Sequence, residues 1–129
     1  MFKKILYLLI FATIANADSI NWVDSYQDAL NKAKVENKNI MILITTATCG
    51  WCKKMKSKTF VDKNIIDQVN IDYISLELTK GFDEFPHNMF IKSVPTTLFM
   101  DKNGVLIKKI PGYWNAQDFA SWLSDVEKL

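Results

Sequence analysis

The spacing of apolar and polar residues predicts alternating strands and helices along most of the chain. Residues 40–44 form an unbroken apolar run, which is typical of a central strand covered on both faces. Residues 20–23 are interpreted as either a short strand or a lead-in segment. They precede a helix that Asp24 or Ser25 can cap and that ends near Asn37. The apolar residues of this helix recur at helical spacing on one face: Tyr26, Ala29, Leu30 and Ala33.

The middle of the chain predicts two further helices and a strand. Residues 53–60 are compatible with a helix, and residues 62–69 with a short helix that begins near Asp62 or Lys63. Residues 71–78 alternate apolar and polar positions, which indicates a strand. Residues 81–88 are predicted to form a loop, and residues 89–92 a helical turn.

The last third predicts a β-hairpin and a final helix. Pro95 cannot donate to a strand ladder, so it begins the strand over residues 93–100 or marks an interruption. Residues 101–104 are Asp-Lys-Asn-Gly, a hairpin turn, and residues 105–110 are its second strand. After a turn at 111–114, Asn115 caps a helix over residues 116–128. The apolar stripe of this helix is interpreted as core: Phe119, Trp122, Leu123 and Val126.

Residues 1–17 have the order of a secretory signal peptide. Lys3 and Lys4 form a short positive region, residues 5–14 are apolar, and residues 15–17 are Ala-Asn-Ala, a small-X-small cleavage site. The apolar stretch is too short for a comfortable membrane span, and an uncleaved anchor is the alternative interpretation. Cleavage leaves residues 18–129, which we expect to form one domain with a single core.

The charge balance bears on possible partners. Without Lys3 and Lys4, the remaining lysines equal the acidic residues in number, so the net charge is near zero. The sequence contains no arginine. Nothing therefore supports nucleic-acid binding, which requires a basic face.

Both cysteines lie in one Cys-X-X-Cys segment, Cys49-Gly50-Trp51-Cys52, between the apolar run and a predicted helix. This order places Cys49 at the first turn of a helix, where free N–H groups and the positive end of the helix dipole favour a thiolate. Cys52 can then reach the same face and resolve a mixed disulfide. A purely structural disulfide would close a very short loop and constrain the unfolded chain little. A structural zinc site needs four ligands, whereas the chain offers two cysteines and one histidine.

Three other polar residues have competing interpretations. Lys53 or Lys54 could lie close enough to Cys49 to lower its pKa, or both could belong to a solvated helix face. His87 is the only histidine, and in its polar loop we interpret it as an exposed bystander.

The whole of residues 18–129 resembles the thioredoxin-like superfamily. The resemblance is carried by the Cys49–Lys53 motif, the Val94-Pro95-Thr96 step, the hairpin at 101–104 and the late Gly112. It is similar in particular to exported single-domain thioredoxin-like proteins and to the C-terminal periplasmic domain of the bacterial thiol:disulfide interchange protein. The fold so implied is α/β, a central mixed sheet flanked by helices, with the Cys-X-X-Cys motif at a helix N-terminus.

The resemblance also implies roles for individual residues. Cys49 would be the attacking thiol and Cys52 the resolving thiol. Pro95 would be a cis-proline facing the cysteines, with Val94 offering its backbone to an extended substrate. Trp51 and Thr96 would border the docking surface, together with Tyr113 or Trp114.

Two positions depart from thioredoxins proper. Position 51 is Trp where those proteins have Pro, which changes the loop between the sulfurs and so the redox potential. Leu43 stands where they carry a buried acid that helps to deprotonate the resolving cysteine. The proton acceptor for Cys52 is therefore unassigned.

The sequence thus predicts a periplasmic, monomeric thiol-disulfide oxidoreductase that reduces disulfides of substrate proteins. No nucleotide or flavin motif is present, so no cofactor is expected, and a membrane thiol donor would recharge the pair. The alternatives are an oxidase or isomerase, or a non-enzymatic module that binds a partner or copper(I). The sequence leaves the physiological substrate open.

Overall fold

The computed structural model describes residues 18–84 and 89–129. The predicted signal peptide and His87 lie outside the described residues. The elements follow in the order β1 Trp22–Val23, α1 Tyr26–Glu36, β2 Asn39–Thr45, α2 Gly50–Lys54, a π-helical turn Met55–Thr59, α3 Lys63–Asp72, β3 Tyr73–Thr79, β4 Thr96–Met100, β5 Leu106–Pro111 and α4 Ala116–Glu127. Within this part of the chain, no helix has the length and apolar character needed to cross a membrane.

The five strands form one mixed sheet in the order β1-β3-β2-β4-β5. β1 and β2 both run parallel to β3, while β4 is antiparallel to β2 and β5 to β4. Helix α1 packs on one face of the sheet, and α3, α4 and the π-helical turn contribute to the core on the other. The predicted mixed sheet flanked by helices is confirmed.

Strand β2 is central, as its unbroken apolar run predicts. Ile40, Ile42 and Ile44 face the α1 side, and Met41 and Leu43 face the other core. All five side chains are fully buried. A strand covered on both faces needs no polar alternation, which explains its sequence.

The caps of the first and last helices agree with the sequence prediction. The Ser25 hydroxyl accepts a hydrogen bond from the Asp28 N–H at 3.1 Å at the start of α1. Asn37, with a φ of 52°, ends α1 in the left-handed conformation. The Asn115 side-chain oxygen accepts from the Asp118 N–H at 2.9 Å at the start of α4. These short polar residues satisfy N–H groups that a helix start leaves free.

Strand β3 begins two residues later than predicted. Helix α3 continues to Asp72, so Ile71 is helical and 68% exposed. The buried face of α3 is formed by Ile65, Ile66 and Val69, and Ile71 falls outside that stripe. β3 lies between β1 and β2 and is covered on both sides, which the alternating pattern did not indicate.

The predicted helical turn at residues 89–92 is wrong, since these residues are in neither a helix nor a strand. The Lys109 ammonium donates to the Phe90 carbonyl at 3.2 Å, and the Lys80 ammonium to the Ile91 carbonyl at 2.9 Å. Ile91 itself is buried against the α1-side core. Tertiary contacts therefore satisfy carbonyl groups that a helical turn would have used.

The predicted hairpin is confirmed, with its second strand displaced by one residue to Leu106–Pro111. Asp101 organises the turn. Its carboxylate accepts from the Asn103 N–H at 2.8 Å and the Val105 N–H at 3.0 Å, and its carbonyl from the Gly104 N–H at 3.0 Å. Such local bonds are the usual reason for Asp at the first position of a turn.

Candidate functional site

The cysteine motif lies between the end of β2 and the first turn of α2, as the sequence predicts. Cys49 is the N-cap of α2, and Cys49 and Cys52 form a disulfide with a Cα–Cα distance of 5.2 Å. The Cys52 backbone N–H donates to the Cys49 sulfur at 3.0 Å. A helix-start N–H is thus aimed at Cys49, the arrangement that stabilises negative charge on sulfur.

The two sulfurs differ in accessibility. Cys49 is half-buried, whereas Cys52 is 1% exposed. Met55 follows Cys52 by three positions and belongs to the core beneath the helix. Because residues three apart share a helix face, Cys52 points toward the sheet. An external disulfide can therefore approach Cys49 more readily than Cys52.

The helix that carries the cysteines is not α-helical throughout the predicted residues 53–60. It becomes a π-helical turn at Met55–Thr59, closed by the Phe60 N–H donating to the Met55 carbonyl at 3.0 Å. The buried Thr59 hydroxyl donates to the Trp114 carbonyl at 2.6 Å. This bond ties the cysteine helix to the connection between β5 and α4, and π-helical turns are frequent next to functional sites.

A shallow cavity of about 330 Å³ lies beside the motif. Its lining joins residues from three separate segments: Trp51, Ser93, Val94, Pro95, Gly112 and Tyr113. The Val94–Pro95 peptide bond is cis. The Gly112 N–H donates to the Pro95 carbonyl at 2.8 Å, which joins the proline step to the turn after β5.

Of the residues that the resemblance assigned to docking, Thr96 lies outside this cavity. Its side chain is buried, and its hydroxyl donates to the Ser93 carbonyl at 2.7 Å. Trp51, by contrast, is 59% exposed and forms one wall. The structure therefore brings Trp51, Val94 and Pro95 together and places Thr96 behind them.

The Lys54 ammonium lies over the two aromatic side chains of the cavity lining, Trp51 and Tyr113. The Trp51 and Tyr113 rings lie 5.4 Å apart, and the Lys54 ammonium is 5.0 Å from the first ring centroid and 5.2 Å from the second. These are cation–π distances. Lys54 thus contacts the two aromatic rings of the cavity lining. The sequence pattern indicates only Cys49 or solvent as the surroundings of Lys54 and does not predict this contact.

Beneath the motif, the sheet offers polar groups that sequence analysis did not assign. Leu43 is flanked in register by Glu77 of β3 and Thr97 of β4. The Thr97 hydroxyl is buried and has no hydrogen-bond partner within the described residues. Glu77 could have been singled out as an acid inside a predicted strand, but its register with Leu43 is not a property of the sequence pattern.

No group of three or more His, Cys, Asp and Glu side chains among residues 18–84 and 89–129 is arranged to hold a metal ion. The chemistry that the described site offers is that of two sulfurs, one accessible and one shielded.

The chain resembles proteins of known family. A family model described as a thioredoxin-like domain matches residues 26–127. Anterior gradient protein 2-B of Xenopus laevis is 26% identical over 114 residues, covering 87% of this chain and 68% of that protein. Spermatogenesis-associated protein 20 of Rattus norvegicus is 33% identical over 57 residues, which are 44% of this chain and 7% of that protein.

Solved structures agree. A Bacteroides thetaiotaomicron protein described as a candidate disulphide-isomerase matches with a TM-score of 0.72 and 26% identity, covering 88% of this chain and 94% of that chain. The DsbH oxidoreductase matches with a TM-score of 0.71 and covers 88% of each chain, and at 19% identity this likeness shows the fold alone. With the family model spanning α1 to α4 and the disulfide at the start of α2, the chain belongs to the thioredoxin-like family.

Proposed function

We propose that this chain is an exported thiol-disulfide oxidoreductase that reduces disulfides in substrate proteins through Cys49 and Cys52. A thioredoxin-like domain with a Cys-X-X-Cys pair supports thiol-disulfide exchange at the general level. One observation supports exchange with a docked substrate protein in particular. The accessible sulfur of the pair lies at a helix start beside an open cavity formed by Trp51, Val94 and Pro95.

The first step is attack by Cys49. In the reduced protein the Cys49 thiolate displaces one sulfur of a substrate disulfide, forming a mixed disulfide. The displaced substrate sulfur leaves as a thiolate and takes a proton from water. The Cys52 N–H at 3.0 Å from the Cys49 sulfur favours the attacking thiolate.

The second step is resolution by Cys52. Cys52 loses its proton and attacks the Cys49 sulfur, and the second substrate sulfur leaves as a thiolate. Two electrons have then passed from the enzyme dithiol to the substrate disulfide. The enzyme is left with the Cys49–Cys52 disulfide, the form that the structure contains.

The substrate would dock as an extended segment in the cavity beside Cys49. Val94 offers a backbone next to Pro95, and the Trp51 and Tyr113 rings offer an apolar wall capped by Lys54. An extended segment can pair with such a backbone while its side chains contact the rings.

The direction of exchange distinguishes the proposed reductase from an oxidase or isomerase. We favour reduction because the sequence resembles the C-terminal periplasmic domain of the bacterial thiol:disulfide interchange protein, which is a reducing domain. The sequence also carries no large inserted substrate domain. A membrane-bound dithiol would return two electrons to the pair. The likeness to a candidate disulphide-isomerase keeps isomerisation as the second function. A reduction potential of about −270 mV supports the reductase, and one of about −120 mV contradicts it.

Export and mature form belong to the same proposal. The domain over residues 18–129 would act as a monomer in the periplasm after removal of residues 1–17. N-terminal sequencing of the exported protein should begin near Asp18. An intact Met1 on a membrane-bound product would contradict the cleaved form.

Substrate trapping tests the roles of the two cysteines. Cys52→Ser still attacks but cannot resolve, so it should accumulate mixed disulfides with substrate proteins on a non-reducing gel. Cys49→Ser, the matched control, should capture almost none, because the remaining sulfur is shielded. Greater capture by Cys49→Ser would reverse the roles, and the absence of exchange by the wild-type protein would favour a binding module.

A further inference from the structure

The proposed resolving step needs a proton acceptor close to a shielded sulfur. Cys52 is 1% exposed, so bulk water has little access to its thiol. Leu43 of β2 belongs to the same core as Met55, which follows Cys52 by three positions, and a leucine cannot accept a proton. A group on this face that accepts the proton would let the step run near neutral pH.

One carboxylate occupies the neighbouring strand. In the five strands that the structure describes, Glu77 is the single acidic residue. Glu77 of β3 lies in register with Leu43 of β2. Since residues in register on paired strands point to the same face, Glu77 shares the face of Leu43, against which the cysteine helix packs.

Two contacts hold one oxygen of this carboxylate, and one of them comes from the helical segment that follows the cysteines. The Lys56 ammonium lies 2.9 Å from Glu77 Oε1, and the Thr45 hydroxyl donates to the same oxygen at 3.2 Å. Lys56 follows Cys52 by four positions, about one helical turn. Thr45 is the last residue of β2, the strand that leads into the cysteine loop. One partner thus precedes the two cysteines along the chain and the other follows them.

Resting on the proposed function, we infer that Glu77 accepts the proton that Cys52 loses during resolution. The Cys52 S–H bond breaks and its proton passes to the Glu77 carboxylate. The Cys52 sulfur then forms its bond to Cys49 while the Cys49–substrate bond breaks, and the substrate sulfur leaves with the electron pair. The Glu77 side chain is 27% exposed, so it returns the proton to solvent afterwards.

The other charged groups around Glu77 are cations, or carboxylates with partners of their own, such as Asp83, which accepts from the Thr79 N–H at 2.7 Å. From the cysteine helix, Lys56 is the charge in contact with Glu77. β1 pairs with β3 through the uncharged Trp22 and Val23. On α3, Lys63 and Asp67 pair with each other at 3.1 Å.

Two further charges lie nearby in sequence but are engaged elsewhere. The Lys80 ammonium, just beyond β3, donates to the Ile91 carbonyl. The Lys54 ammonium lies over the Trp51 ring.

The test separates attack from resolution in the full chain. Reduced protein is mixed rapidly with excess dithiobis-nitrobenzoate, an aromatic disulfide that releases a coloured thiolate. Attack by Cys49 gives a first release whose rate rises with reagent concentration. Resolution by Cys52 gives a second release whose rate does not depend on the reagent concentration. Glu77→Gln should slow the second release by about tenfold or more at about pH 6, since general bases contribute factors of roughly 10²–10⁴ to a rate. This slowing should vanish at about pH 9, above the ordinary thiol pKa of about 8.5.

The direction of the rate change in Glu77→Gln distinguishes proton transfer from a purely electrostatic role. If Glu77 acted only as a nearby negative charge, Glu77→Gln would make the Cys52 thiolate easier to form and would speed resolution. Glu77→Asp keeps a carboxylate and should recover part of the rate. Glu36→Gln removes the carboxylate of another lysine pair, Glu36–Lys38, and should leave both releases unchanged.

The outcomes distinguish this inference from the proposed function. If the second release of Glu77→Gln is as fast as that of the wild type or faster at about pH 6, the role of Glu77 alone is overturned. The absence of any concentration-independent release in the wild-type protein overturns the dithiol mechanism itself. Equal slowing at every pH, with a lower Tm, would show a structural role and also overturn the inference.

Discussion

At the scale of single residues, two glycines hold turns that other residues would strain. Gly112 has a φ of 93° and donates its N–H to the Pro95 carbonyl, so it connects the last turn to the proposed docking cavity. Gly104 has a φ of 80° in the β4–β5 hairpin. A Cβ atom at position 104 would lie 2.7 Å from the hydroxyl of Tyr26. The hairpin therefore lies close to α1 at this point. Burial of Tyr26 raises the pKa of its hydroxyl, and Asp101 raises it further.

Gly104→Ala should therefore destabilise the fold. The left-handed backbone costs about 1–2 kcal/mol for a residue with a Cβ, and the Tyr26 ring must also move. Gly81→Ala is the matched control, because Gly81 has a φ of 94° but no atom within 4 Å of the added Cβ. Denaturant unfolding measures both. An equal loss in the two variants would show that the Tyr26 contact is unimportant.

At the scale of elements, the cysteine helix is held by its far end. Its π-helical turn ends at Thr59, whose hydroxyl is fully buried and donates to the Trp114 carbonyl. Trp114 and Tyr113 lie between β5 and α4, and Tyr113 lines the candidate cavity. The Thr59 bond thus links the helix that positions the sulfurs to the segment that carries Tyr113, part of the cavity lining.

Thr59→Val should lower the free energy of unfolding by about 1–2 kcal/mol. Valine keeps the shape of threonine but leaves the part-buried Trp114 carbonyl without its donor, and unsatisfied buried groups cost roughly 1–3 kcal/mol. Ser57→Ala removes an exposed hydroxyl that donates to the Lys54 carbonyl in the same helical segment, and it should change stability by less than about 0.5 kcal/mol. Equal effects of the two substitutions would contradict the special role of Thr59.

At the scale of the whole molecule, the ends of α3 and α4 bring two carboxylates together. Burial raises the pKa of the Asp72 carboxyl above its ordinary value of 3.8, the neighbouring Glu127 raises it further, and Lys38 opposes the shift. The same environment raises the pKa of Tyr73 to about 12, mainly through burial. Protonated Asp72 therefore stabilises the fold fully below pH 3.8, and this contribution is lost as the pH rises through the folded-state pKa.

Asp72→Asn should accordingly raise the Tm at neutral pH, because the amide carries no charge. The gain should be at most about 4 °C, since partly exposed charge interactions contribute under about 1 kcal/mol. It should shrink as the pH falls and disappear below about pH 4, where Asp72 is protonated in the wild-type protein as well. Asp67→Asn, which breaks the exposed pair with Lys63, should not raise the Tm. A gain from Asp72→Asn that persists at low pH would contradict the electrostatic explanation.

Local patterns in the sequence determined much of the architecture and part of the candidate site. Caps such as Ser25 and Asn115 act within three residues, and the run at residues 40–44 has the composition of a doubly covered strand. The position of Cys49 at the start of α2 follows from the same local order of strand, loop and helix. These features could be predicted because hydrophobic periodicity and capping depend on neighbours along the chain.

Tertiary structure alone decided the features that join distant segments. Glu77 lies beside Leu43 because of strand register, and Thr59 bonds Trp114 because of how the cysteine helix packs. For the same reason, the sequence pattern predicts too early a start for the strand at 71–78 and a helical turn at 89–92 that the structure does not contain. Ile71 faces solvent at the end of α3, and lysines from elsewhere bind the carbonyls of Phe90 and Ile91. Register and such long-range bonds depend on packing between elements far apart in sequence, which no local pattern contains.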